Sequence, residues 1–235
     1  NNSDSKIINL DILTIGSNLE NLKDIQNNSN YKFIKDDIRN ESTIDSIVKD
    51  IDVVVNFAAE SHVDRSINDA NPFLVSNIRG AFTILDITTK QKKRLIHIST
   101  DEVFGSLINE TATEESKFNP SSPYAATKAS AELLIKSYIA TYNSDAIITR
   151  CTNNFGPRQF IEKLIPKTII LANKNIKIPI YGNGKNIRDW IYVNNHCDAI
   201  EKVLLKGKSG ESYNISADNE IDNLTIVKKI LDIMG

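Results

Sequence analysis

Two short stretches of this chain carry side chains that could do chemistry together. The first is SSPYAATKAS, residues 121–130, in which Tyr124 and Lys128 stand four apart. On a helix that spacing puts both on one face. A phenol with a free pKa of about 10 is a poor base at neutral pH, and a neighbouring ammonium favours its ionised form. Such a pair can take the proton of a sugar hydroxyl while a nicotinamide cofactor takes the hydride from the same carbon. The second stretch is ISTDEVFG, residues 98–105, where Ser99 and Thr100 precede two adjacent acids, Asp101 and Glu102. Behind a run as apolar as RLIHIS, these residues mark the end of a strand. A Tyr-x-x-x-Lys arises often on helices, and an isolated acid pair is most often a solvated turn. Ser99 lies 25 residues before the tyrosine, and the serine–threonine pair turns two weak signals into one constellation.

The elements that must position these groups alternate along the chain. Residues 6–11, 31–38, 52–59, 93–100 and 145–150 read as strands, several of them continuous apolar runs suited to parallel pairing with both faces covered. Between them, helices are expected over Ser42–Lys49, with Ser42 as cap, over Pro72–Lys90 and over Pro123–Tyr142. The alternation predicts an α/β fold, a Rossmann-like doubly wound parallel sheet over residues 1–156. From residue 157 to 235 the pattern loosens into IKIPIYGNG, a helix near Asn195–Leu205, the strand ESYNIS and a last helix from Asn223, which reads as a small substrate-binding lobe.

In doubly wound sheets, ligands sit beyond the carboxyl ends of the strands. Those ends carry Asp11, Asp37, AAES (58–61), STDE (99–102) and CTNN (151–154), five polar clusters that suit one shared crevice. Asp37 and Ser61 could equally serve only to cap the next helix. Asp11 has a sharper meaning. An acid ending the second strand of a dinucleotide fold binds the adenosine ribose hydroxyls and selects NAD over NADP. The accompanying G-x-G-x-x-G turn is absent; YGNGKN (181–186) comes late and lacks a third glycine, so it reads as a turn.

Composition narrows the partners. The 235 residues carry a net charge of −2 with acids and bases interspersed, which argues against a nucleic-acid surface. No apolar stretch approaches the ~20 residues that span a bilayer, and no secretory signal is apparent. The two cysteines, Cys151 and Cys197, form no disulfide framework, so a reduced, cytoplasmic setting is expected. His62, His97 and His196 lack metal-ligand spacing, and no metal site is expected.

With these motifs in place, the chain resembles the extended short-chain dehydrogenase/reductase family and, within it, the dTDP-glucose 4,6-dehydratases. The stretches that carry the resemblance are NLDILTIGSNLENL, AAESHVDRSI, ISTDEVFG, SSPYAATKAS, CTNNFGP, EKLIP, PIYGNGKNIRDWIYV and GESYNIS. STDE is the most specific, because related sugar-nucleotide epimerases lack the acid pair at that strand end. The resemblance implies an NAD-dependent dehydratase acting on dTDP-glucose in deoxysugar biosynthesis, and a homodimer formed through the helices around 72–90 and 124–142. Asp11 would bind the adenosine ribose, Asp37 and Ile38 would flank the adenine, and Ala58 and Ala59 would line the cofactor. Tyr124 and Lys128 would serve oxidation and also touch the cofactor, Thr100 would hydrogen-bond the sugar, and Asp101 and Glu102 would serve elimination. Ser61, Asn153, Lys163 and Leu164 would contact the nucleotide sugar. Pro179 and Tyr181 would pack around the base, and Arg188 and Asn223 would meet the diphosphate. Arg188 could instead form an ion pair with Asp189.

Phe104 and Phe155 stand where the family usually has tyrosine. The family opens with a strand and a glycine-rich TGGxGFIG turn and ends with a further nucleotide-binding segment, so the sequence is read as part of a longer polypeptide. A 4-epimerase or decarboxylase of the same family, and a non-catalytic binding module, are the alternatives.

Overall fold

A computed structural model describes residues 5–107 and 110–235. Strand β1 (Ile7–Leu10) runs parallel to β2 (Tyr31–Ile34), in register from Ile7 against Tyr31 to Leu10 against Ile34. Helix α1 (Glu41–Lys49) opens on Asn40, whose side chain accepts from Thr43 N. The cap was expected at Ser42, but Ser42 lies inside the first turn and donates to Asn40 Oδ1 at 2.8 Å. An asparagine before the turn reaches the exposed N–H groups better than a serine within it.

Strand β3 (Val53–Asn56) leads to the short helix α2 (Val63–Asn68). A continuous helical run follows: α3 (Asn71–Phe73), a π-helical turn (Leu74–Gly80) and α4 (Ala81–Lys90). Strand β4 (Arg94–Thr100) ends in a 3-10 turn, Asp101–Phe104. Helix α5 (Pro123–Tyr142) and strand β5 (Ala146–Cys151) come next. The remaining elements are β6 (Asn153–Phe155), α6 (Leu164–Asn173), β7 (Ile187–Tyr192), α7 (Val193–Lys206), β8 (Ser212–Ile215), β9 (Glu220–Asp222) and α8 (Asn223–Met234).

Contacts divide the chain into two compact units. One runs to Arg150 and takes in Lys206–Asn214; the other comprises Cys151–Leu205 and Ile215–Gly235. The first holds the parallel pair β1–β2 and the sheet ordered β3–β4–β5–β8. Strand β8, read from sequence as part of the second lobe, lies along β5: Gly210 N bonds Ala146 O at 2.8 Å and Ile148 N bonds Glu211 O at 3.1 Å. The alternation of strands and helices therefore yields the expected parallel α/β architecture. Helices cover the sheet through a core of Ile44, Val48, Ile84, Leu85, Leu95, Ile135 and Ile148, drawn from α1, α4, β4, α5 and β5. Each such side chain contributes about 1.5–3 kcal/mol by leaving water. Burial extends unbroken from Leu95 to Thr100, which is why β4 reads as a run and not as an alternation.

The second unit is built on β6–β7–β9, with β6 parallel and β9 antiparallel to β7. Helix α6 was not foreseen because Pro166 interrupts its sequence. Pro166 falls in the first turn, where a helix needs no N–H from it.

One glycine is indispensable. Gly105 closes the turn after Phe104 at φ +73°, and a Cβ there would come within 2.1 Å of the Asn119 carbonyl oxygen. Gly105→Ala should cost at least about 1 kcal/mol in urea unfolding, since both the backbone and the space exclude a side chain.

Candidate active site

Helix α5 presents the tyrosine and lysine. Ser122 caps it by accepting from Ala125 N at 3.1 Å, and Pro123 occupies its first turn. Tyr124 is 9% exposed and Lys128 3%, so this row of the helix faces protein and not solvent. Ser66 of α2 accepts from Tyr124 N at 3.1 Å, and the Tyr124 ring meets Phe73 edge-on at 6.3 Å. Lys128 Nζ donates to the Ile98 carbonyl at 2.6 Å, tying α5 to the end of β4.

Directly beyond Ile98 comes the acid pair. Thr100 caps the 3-10 turn: its Oγ1 accepts from Glu102 N at 3.3 Å and donates to Asp101 Oδ1 at 3.3 Å. Asp101 and Glu102 are half-buried, whereas Val103 and Phe104 are buried beneath them. α5 packs against both β4 and this turn. The structure therefore brings Thr100, Asp101, Glu102, Tyr124 and Lys128 to the junction of one helix and one strand end.

Three buried polar residues complete the site and were missed in the sequence. His97 (1% exposed) has Nε2 3.5 Å from Lys128 Nζ and Nδ1 3.2 Å from Asn56 Nδ2. Asn56 Oδ1 accepts from Ala58 N at 3.1 Å. A backbone N–H can only donate, so it fixes the Asn56 amide, which must then donate to His97 Nδ1. That places the His97 proton on Nε2, so its approach to the Lys128 ammonium is one of two donors and not a hydrogen bond. Burial first, and the Lys128 charge second, hold the imidazole pKa well below 6.5. Asn77, in the π-helical turn, accepts from Glu60 N at 2.8 Å and donates to Glu60 O and Thr127 Oγ1 at 2.9 and 3.0 Å. It pins the end of the AAES loop to α5. A polar residue inside an apolar strand run, as in VVVNF and LIHIS, was the available signal for Asn56 and His97.

The expected cofactor residues outside α5 follow strand ends of the first unit. Asp11 succeeds β1, with an exposed carboxylate whose Oδ1 accepts from Leu13 N at 2.6 Å. Asp37 is engaged by Arg39 Nε and Nη2 at 2.9 and 2.5 Å, and that guanidinium holds its carboxyl below the usual range. Ile38 is buried in the core, Ala58 and Ala59 follow β3, and Ser61 is exposed ahead of α2.

The expected nucleotide-sugar residues, Ser61 and Thr100 excepted, fall in the second unit. Asn153 opens β6 opposite Trp190, Lys163 precedes α6, and Leu164 begins it. Pro179 and Tyr181 are exposed, and Asn223 begins α8 behind its cap Asp222. Arg188 lies on β7 with its side chain exposed. The alternative pairing of Arg188 with Asp189 does not form: the Asp189 carboxylate accepts from Thr152 Oγ1, Ala217 N and Asn219 N at 2.8, 2.8 and 2.7 Å. Among the described residues, no group of three or more His, Cys, Asp or Glu could hold a metal, and no helix is long and apolar enough to cross a membrane.

The profile of the GDP-mannose 4,6 dehydratase family matches residues 2–234. The chain belongs to that family. Relatives of this GDP-mannose 4,6 dehydratase family member include the low-salt glycan biosynthesis protein Agl12 of Haloferax volcanii, 46% identical over all of this chain and 76% of Agl12. A dTDP-glucose 4,6-dehydratase of Streptomyces niveus is 42% identical over 99% of this chain and 70% of its own length. The dTDP-glucose 4,6-dehydratase of Streptomyces venezuelae, solved with NAD bound, superposes with a TM-score of 0.96 at 40% identity, covering 98% of this chain and 72% of that one.

The buried His97 makes stability pH-dependent with a definite sign. Its folded pKa is depressed, so the unfolded chain binds the proton more readily and stability falls as pH drops below the unfolded value of about 6.5. The slope from this one group approaches about 1.4 kcal/mol per pH unit. Urea unfolding between pH 7 and pH 5 should show the fall, and His97→Gln should reduce it.

Proposed function

We propose that the protein converts dTDP-glucose into its 4-keto-6-deoxy derivative with NAD as cofactor. One observation carries this reading: a buried Tyr124–Lys128 helix packs on the strand whose end bears Asp101 and Glu102. An oxidising pair beside two carboxylates suits a reaction that needs both alcohol oxidation and elimination. The residues fit NAD, since Asp11 offers an exposed carboxylate at a strand end, an acceptor for paired ribose hydroxyls that would repel a 2′-phosphate. When bound there, NAD would supply the hydride acceptor for C4 and the hydride donor for C6.

Tyr124 takes the C4 hydroxyl proton, with Lys128 beside it and Thr100 toward the sugar. Once C4 is a ketone, the C5 hydrogen is acidic, and Glu102 removes it. Asp101 donates the proton with which the C6 hydroxyl leaves as water. A proton returned to C5 completes the balance, and the net change is loss of one water. Two neighbouring carboxylates can hold different protonation states, because ionisation of one disfavours ionisation of the other. Arg188 is assigned to the diphosphate, which a guanidinium fork suits. Asn153, Lys163, Leu164, Pro179, Tyr181, Asn223 and Ser61 are assigned to the remaining nucleotide-sugar contacts. A homodimer through the helical run around 72–90 and α5 is part of the same reading, supported by exposed apolar side chains at Leu74, Phe82, Leu133 and Tyr142.

Incubation with dTDP-glucose and NAD tests the assignment. A 4-keto-6-deoxy product supports it, a 4-epimer points to an epimerase, and bound but unconverted sugar nucleotide to a binding module. Within the dehydratase reading, Glu102→Gln should still form NADH yet exchange little solvent deuterium into C5. Asp101→Asn should retain more exchange and lose water elimination; the reverse pattern would swap the two roles. Arg188→Ala should raise KM strongly with kcat little changed, because a diphosphate remote from the reacting carbons contributes equally in ground and transition states.

A further inference from the structure

Tyr124 and Lys128 belong to a longer row. Four residues beyond Lys128 on α5 comes Glu132, 0% exposed, and it holds Arg150 of β5, 1% exposed. Arg150 Nε lies 3.2 and 3.0 Å from the two carboxylate oxygens, and Nη2 lies 2.8 Å from Oε2. Nη1 reaches the Glu114 carbonyl at 3.4 Å and Asn214 Oδ1 at 3.3 Å. The guanidinium also approaches two rings, Phe104 at 5.1 Å and Phe118 at 5.4 Å from their centroids. Phe104 is the last residue of the 3-10 turn that carries Asp101 and Glu102.

A buried ion pair is weak evidence for stability, since apolar residues of similar volume often serve as well. Orientation is a different matter. The planar fork engages a carboxylate along one edge and aromatic faces above its plane, which an ammonium cannot reproduce. Here one edge is fixed to the tyrosine–lysine helix, and the central carbon lies over the ring at the end of the acid turn.

We propose that Arg150, held by Glu132, is a positioning residue that sets the Asp101–Glu102 turn against the Tyr124–Lys128 row, so that it governs elimination and not oxidation. This inference rests on the dehydratase reading, and the experiment separates the two. The full-length enzyme with NAD is compared with Arg150→Lys and with the apolar double substitution Glu132→Leu/Arg150→Met. Both variants should fold, bind dTDP-glucose with a KM within about threefold of the parent and form NADH at a similar rate, while C5 deuterium exchange and water loss fall about 100-fold in the double variant. Crystal structures of the variants should show the turn displaced by roughly 1 Å, the scale of misplacement that produces such losses.

Exchange and elimination within about threefold of the parent, or an equal fall in NADH formation and exchange, would overturn the proposal. If the double variant does not fold, Phe104→Leu, which leaves the ion pair and removes the ring, is judged by the same criteria. Absence of NADH formation in the parent would refute the dehydratase reading alone. The displacement of the turn then decides the positioning role, and an unmoved turn would sink it.

Discussion

A lysine ammonium in a dry interior, as at Lys128, is stable only where its charge and protons are met. That requirement organises the first unit. The amine goes to the Ile98 carbonyl near the end of β4, which ties α5 to that strand end. Because the carbonyl belongs to Ile98, the residues next in line are Ser99, Thr100 and the acid pair. The proximity of the acids to the helix is therefore a by-product of where the lysine must put its proton.

The same demand propagates outward. Burial and the lysine charge keep His97 neutral, and Asn56 donates to it because Ala58 N has already used the amide oxygen. Hydrogen-bond direction is thereby passed from a loop backbone through Asn56 to the imidazole beside Lys128. At the other end of the helical row, Glu132 cannot be buried alone, and the Arg150 that satisfies it lies over the Phe104 and Phe118 rings. Charges placed inside the protein act here as constraints on geometry more than as sources of stability.

Much of this was legible beforehand. Parallel strands covered on both faces announce themselves as apolar runs, so β3, β4 and β5 were found within a residue or two at most boundaries. The placement of the tyrosine and lysine on one helix, beside acids at a strand end, was legible from helical spacing and from acids closing an apolar run. Burial of Glu132 and Arg150 was not, because charged residues are exposed by default and no local pattern marks the exception. The pairing of β8 with β5 escaped for another reason: strand neighbours distant in sequence leave no periodic trace. Pro166 concealed α6 by resembling a stop signal where it is in fact tolerated.

The excursion of the chain between β5 and β8 has a consequence for biosynthesis. Arg150 and its partner Asn214 are separated by 64 residues, and those between them mostly build the other unit. A nascent chain that has emerged only as far as β5 holds an open strand edge and a guanidinium lacking one acceptor. The first unit cannot finish folding until most of the second has been translated. During that interval the exposed edge of β5 is the place where a neighbouring nascent chain could pair by mistake. The order of synthesis, and not the order of stability, thus decides when α5 becomes fully anchored.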